Sequence, residues 1–121
     1  MFVLKNDQVY DFDVDDTLAM WDIPVGYDGP LTKVEAAYIS EIIAPHCAHI
    51  KQMRAHKGRG HAVCVWSAGG YAWAEAVVKA LGIENLVDIV RCKPQGYYDD
   101  IPASEFMGKR MYIPFSWERV S

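Results

Sequence analysis

The chain has 121 residues, close to the commonest size for one domain and too short for two independent cores. Hydrophobic residues make up 51% and charged residues 23%, which excludes an intrinsically disordered chain. A net charge of -4 excludes broad electrostatic capture of nucleic acid, because that binding needs a basic surface to displace condensed counterions.

A single domain over residues 1–121 is therefore expected. No apolar run follows a basic start and no stretch reaches about 18 apolar residues, so neither a secretion signal nor a membrane span is expected. The three cysteines, Cys47, Cys64 and Cys92, are odd in number and lack metal-ligand spacing. Reduced thiols and a cytoplasmic protein are the expectation.

In chain order, Met1 to Leu4 reads as a short strand, Asn6-Asp7 as a turn and Val9 to Asp13 as a second strand rich in aromatic and β-branched residues. Residues 19–45 read as a flap-sized loop followed by a helix. Pro24, Gly26, Gly29 and Pro30 make the first part irregular, and Leu31, Val34, Tyr38 and Ile42 then recur at helical spacing up to Pro45. A further helix runs from about His46 to Lys57 and stops at Gly58 or Gly60. Its end belongs to a positive cluster of Lys51, Arg54, His56, Lys57, Arg59 and His61, which reads as a solvated helix terminus complementing the dipole.

His61 to Trp66 is a buried-strand pattern with Ala62, Val63, Cys64 and Val65 in succession. Trp73, Ala76, Val77, Ala80 and Leu81 share one face of a helix closed by Gly82. Val87 to Val90 is a third strand, Tyr97-Tyr98 a short fourth and Met111 to Ile113 a fifth. Strands alternating with helices imply an α/β fold, a Rossmann-like three-layer sandwich around a mostly parallel sheet. Ligands of such sheets bind at the carboxyl ends of the strands.

The run Asp13-Val14-Asp15-Asp16-Thr17-Leu18 sets three carboxylates and a hydroxyl just past an apolar strand. Two carboxylates about 4 Å apart repel by roughly 4 kcal/mol at an effective dielectric near 20, so such acids must be separated, protonated or neutralised. Mg²⁺ suits the cluster, since it takes hard oxygen ligands from one or two carboxylates, waters and substrate phosphate.

This run, following Val9-Tyr10-Asp11-Phe12, resembles the first motif of haloacid dehalogenase (HAD) hydrolases. The resemblance implies that Asp13 attacks phosphorus and that Asp15 protonates the leaving group and later activates water. It further implies that the Asp15 main-chain carbonyl binds the metal and that Thr17 supports the loop. An aspartate at the second position points to the phosphatase branches of that family. Ser67, closing its strand, resembles the second motif, with Ala68 and Gly69 as phosphate-binding neighbours and Gly70 permitting close approach. Lys93-Pro94 resembles the third motif, whose ammonium offsets charge on the nucleophile and the phosphoryl group. Asp99-Asp100 resembles the fourth, with Asp100 as the direct metal ligand and Asp99 in support. Lys93 and Asp99 are only six positions apart, as in compact phage-encoded relatives.

The chain leaves no room for the cap domain that many members insert. The implied protein is a capless Mg²⁺-dependent phosphatase whose open site takes a large phosphorylated substrate, nucleic-acid ends included, or is closed by a neighbouring subunit in a homo-oligomer. Trp21, Tyr27, Tyr71 and Trp73 are candidates to line it, although Trp73 reads first as core. Two rival readings are a barely active protein of the same fold that binds metal and phosphate, and a receiver-like phospho-acceptor domain. The latter is disfavoured because no aspartate lies between Asp28 and Asp88.

Overall fold

The computed structural model describes residues 8–116. The strand expected over Met1 to Leu4, with its Asn6-Asp7 turn, lies outside them. The elements in order are β1 (Val9–Asp13), β2 (Ala19–Met20), β3 (Thr32–Ala36), β4 (Ile39–Pro45), α1 (Cys47–Gly58), β5 (Ala62–Ser67), α2 (Tyr71–Ala80), a 3-10 turn (Glu84–Leu86), β6 (Ile89–Cys92) and a short α3 (Ala103–Phe106). β1, β5 and β6 form a three-stranded parallel sheet with β5 in the middle, and β2, β4 and β3 form an antiparallel sheet in that order. Val63, Cys64 and Val65 are buried in succession, so both faces of β5 are covered, as a central parallel strand requires. The chain is thus α/β, with α1 against β5 and α2 against β3, β5 and β6. Among the described residues no helix is long and apolar enough to cross a membrane.

α2 forms as its spacing requires, burying Trp73, Ala74, Val77 and Val78. α1 begins at the cap His46 and ends with His56 and Lys57 in its last turn, where positive charge complements the carbonyl end of the dipole. Gly60 and Gly82 follow these helices at φ of +81° and +66°, a region that side chains disfavour. The basic cluster is partly absorbed into packing: Lys57 pairs with Asp88, and His56 stacks on Tyr10 with ring centroids 3.8 Å apart.

The helix expected over Leu31 to Ile42 is instead the β3–β4 hairpin. Of the four residues at helical spacing only Val34 is buried, whereas Leu31, Tyr38 and Ile42 are exposed, Tyr38 completely. Thr32, Val34 and Ala36 alternate with outward Lys33 and Glu35, and this period of two, in a β-branched stretch, prevails. β6 starts two residues later than expected. The Asp88 carboxylate accepts from Val63 N at 2.8 Å while Asp88 N donates to Val63 O at 2.8 Å, so this residue begins the pairing with β5.

Neither Tyr97-Tyr98 nor Met111–Ile113 forms a strand. Pro94, Gly96 and Pro102 flank the tyrosines, and proline cannot donate to a ladder. At Ile113 two histidines take the place of a neighbouring strand. Ile113 N donates to His49 Nε2 at 2.9 Å, and His46 Nε2 lies 2.7 Å from Ile113 O. Because Ile113 N can only donate, His49 Nε2 accepts, and its Nδ1–H must donate to Thr17 O at 2.7 Å. His49 N likewise donates to His46 Nδ1 at 3.2 Å, which leaves the proton of His46 on Nε2. Both rings are therefore neutral, stacked at 3.7 Å and buried.

Burial pushes the His46 pKa below its ordinary value; His49 adds to the effect and the bond to Ile113 opposes it. His56 is shifted the same way, first by burial and then by His61 and Arg59. The unfolded chain then binds protons that the folded chain refuses, so stability is complete above the unfolded histidine pKa near 6.5 and falls as pH drops below it. Urea unfolding between pH 7.5 and 5 should show this loss, with a shallower slope in His46→Gln; a flat profile in the parent chain would contradict it. Leu18 is fully buried in the turn after β1, and Leu18→Ala should cost about 2–5 kcal/mol in the same assay.

Candidate active site

The parallel sheet brings the carboxyl ends of β1, β5 and β6 together. Asp13 lies opposite Trp66, and Ser67 opposite Cys92. Lys93 N continues the ladder to Ser67 O at 2.9 Å. From there the lysine side chain passes over the Trp66 ring, 5.6 Å from its centroid, and its Nζ meets Asp13 Oδ1 at 3.0 Å. Two strand spacings, about 9.5 Å, separate β6 from β1, a gap that a long side chain is needed to close. The pair is about one-third exposed on each side, and such ion pairs contribute only about 0–1 kcal/mol to stability.

The other Asp13 oxygen is also held: Thr17 Oγ1 donates to Oδ2 at 3.0 Å. Thr17 reaches back because the chain turns tightly after β1. Leu18 N and Ala19 N both donate to Val14 O, Val14, Leu18 and Ala19 are fully buried, and Asp16 adopts φ of +60°, which aspartate tolerates better than most residues. The outer side of this turn is tied down by Tyr112, whose hydroxyl donates to Asp16 O at 2.9 Å, and by His49 on Thr17 O.

Asp15 has partners of its own. Its Oδ1 accepts from the Trp21 indole at 2.8 Å and the Trp73 indole at 2.9 Å. Asp13 and Asp15 are thus each held by donors of their own. Ser67 is fully buried, and its Oγ accepts from Gly69 N at 2.9 Å. That amide, expected to face a phosphate, is therefore engaged within the turn, while Ala68 and Gly69 are exposed. Ser67 does not cap α2, whose N-cap is Gly70 without a side-chain bond.

Asp99 and Asp100 are both exposed on a loop without strand structure, and Asp99 Oδ1 accepts from Ile101 N at 3.2 Å in a local turn. Among the described residues no group of three or more His, Cys, Asp or Glu side chains is disposed to hold a metal ion. The donors at the end of β1 are all hard oxygens and in kind suit Mg²⁺.

Two contributors escape sequence reasoning. His49 and Tyr112 act on the turn from 32 and 96 positions away. Trp73 is buried as core, yet a buried indole N–H needs an acceptor, and that need was the one legible sign of its link to Asp15. A cavity of about 200 Å³ between Tyr27, His46 and Phe115 does not include Asp13. Comparison with protein-family models, with curated proteins and with solved structures finds nothing that matches the chain.

Gly69 offers a clean probe of the turn because its φ is not in the left-handed region. A Cβ there would meet Ser67 Oγ at 3.2 Å, Trp73 Cδ1 at 3.4 Å and Asp15 Oδ2 at 3.8 Å. Gly69→Ala should alter tryptophan fluorescence while changing unfolding free energy by no more than about 1 kcal/mol. Unaltered emission would mean that the turn does not approach Trp73.

Proposed function

We propose that the chain is a Mg²⁺-dependent phosphohydrolase of the HAD type that cleaves a phosphate monoester through an aspartyl-phosphate on Asp13. The observation that carries the reading is the Lys93–Asp13 pair at 3.0 Å, with Thr17 on the second carboxylate oxygen, at the ends of parallel strands. A carboxylate held at both oxygens beside an ammonium is oriented for in-line attack, and the same ammonium offsets charge on the transferring phosphoryl group.

Asp13 attacks phosphorus as the ester bond breaks, and the leaving oxygen takes its proton from Asp15. Water then attacks the aspartyl-phosphate, Asp15 takes the water proton, and phosphate departs as Asp13 is restored. Ser67 serves to hold a phosphate oxygen, with Ala68, Gly69 and Lys93 around it. Asp13, the Asp15 main chain and, from the exposed loop, Asp100 backed by Asp99 would hold Mg²⁺, which supplies positive charge against the phosphoryl oxygens.

No inserted domain interrupts the path from Ser67 to Lys93, which is α2, the 3-10 turn and β6. That uninterrupted path favours a large phosphorylated substrate, a nucleic-acid end among them. A second reading, a barely active protein that binds metal and phosphate, draws on the finding that, among the described residues, no group of three or more His, Cys, Asp or Glu side chains is disposed to hold a metal ion.

With Mg²⁺ the chain should release p-nitrophenol from p-nitrophenyl phosphate. Asp13→Asn should reduce turnover to background, and Lys93→Ala should lower kcat by about 10²–10³-fold. Phosphate binding without turnover would favour the second reading, and undiminished turnover by Asp13→Asn would exclude covalent catalysis at Asp13.

A further inference from the structure

Two indole N–H groups converge on one carboxylate oxygen, Asp15 Oδ1, at 2.8 and 2.9 Å. Their rings are stacked, with centroids 5.6 Å apart and 26° between planes. The tryptophans differ in origin. Trp73 belongs to the first turn of α2 and is 8% exposed, so burial alone obliges its N–H to find an acceptor. Trp21 follows β2 on the irregular segment leading to β3 and is 38% exposed, so water could satisfy it. Its bond to Asp15 is not forced by its own burial and instead acts on the carboxylate.

An ionised carboxylate oxygen has about two lone-pair sites, and the indoles occupy both on Oδ1. Proton exchange is then directed to Oδ2. That atom faces the turn after β5: it and Ser67 Oγ both lie within 4 Å of the point where Gly69 would carry a Cβ. The carboxylate is thereby divided, with one oxygen anchored and the other presented toward the hydroxyl assigned to phosphate.

We propose that Trp21 and Trp73 are positioning residues that set Asp15 for proton transfer through Oδ2. The inference rests on the reading of Asp15 as proton carrier in the proposed reaction. In the first half-reaction the proton on Oδ2 passes to the leaving oxygen as its bond to phosphorus breaks; in the second, Oδ2 recovers a proton from the attacking water. A carboxyl group free to rotate would present either oxygen and deliver the proton less efficiently.

Leaving-group dependence separates this role from a structural one, because p-nitrophenolate departs with little help from an acid whereas an alkoxide requires a proton. The test compares kcat for p-nitrophenyl phosphate with kcat for an alkyl phosphate, under saturating Mg²⁺, in the parent chain, Asp15→Asn, Trp21→Phe and Trp73→Phe. Phenylalanine retains a ring but removes the N–H donor. The expected result is a loss on the alkyl ester roughly tenfold greater than on p-nitrophenyl phosphate in either tryptophan variant, in the same sense as Asp15→Asn. Should Trp73→Phe fail to fold, Trp21→Phe, altered at an exposed site, decides the matter. Equal losses on the two esters, or none, in a Trp21→Phe chain whose Asp15→Asn counterpart discriminates between them would overturn the positioning role while leaving the phosphohydrolase reading intact. Absence of Mg²⁺-dependent turnover by the parent chain would overturn both.

Discussion

Parallel pairing of β1 with β5, in the register that sets Asp13 opposite Trp66, is the constraint from which the strand-end geometry follows. Side chains alternate faces along a strand, so a slip of one residue would put Phe12 where Asp13 stands and leave Lys93 without its carboxylate. The register of β6 against β5 is equally decisive, because Ser67 opposite Cys92 brings Lys93 N onto Ser67 O and starts the lysine on its path across Trp66. The nucleophile candidate, the hydroxyl and the ammonium are thus set by two ladders of main-chain hydrogen bonds. Val63 and Val65, fully buried on the middle strand, supply the apolar burial that keeps both ladders in place.

Within that frame, charge is distributed rather than concentrated. Three carboxylates within four positions would repel strongly if their oxygens converged, yet Asp13 is paired with Lys93 and Thr17, while Asp15 is held by two indoles. Since a partly exposed ion pair adds little to stability, the Lys93–Asp13 contact is better understood as orientation than as reinforcement. The turn that carries the acids is held from outside by the His46–His49 stack and Tyr112, which tie the segment around Ile113 to the main chain of Asp16 and Thr17. Residues remote in sequence therefore shape the carboxylate loop without touching a carboxylate.

The legible parts of the molecule were those written in local pattern. The uninterrupted apolar run before Ser67 announces a strand covered on both faces, the spacing from Trp73 to Leu81 announces α2, and the aromatic and β-branched residues from Val9 to Asp13 announce β1. The hairpin β3–β4 was obscured because Val34 satisfies a helical and an alternating pattern alike, and only the burial supplied by α2 decides between them. Tyr97-Tyr98 has the composition of a strand, but nothing local reveals that no edge receives it between Pro94 and Pro102. The histidine stack was invisible because each of its bonds to Ile113 spans more than sixty positions.

The account stands on Asp13 as the atom group that takes up phosphate. Acid-quenched chain, sampled during turnover of a phosphate monoester with Mg²⁺, should carry one phosphoryl group, and peptide mass spectrometry should locate it on Asp13. Phosphoryl transfer to any other residue, or sustained turnover with the Asp13 peptide unmodified at every time point, would contradict it.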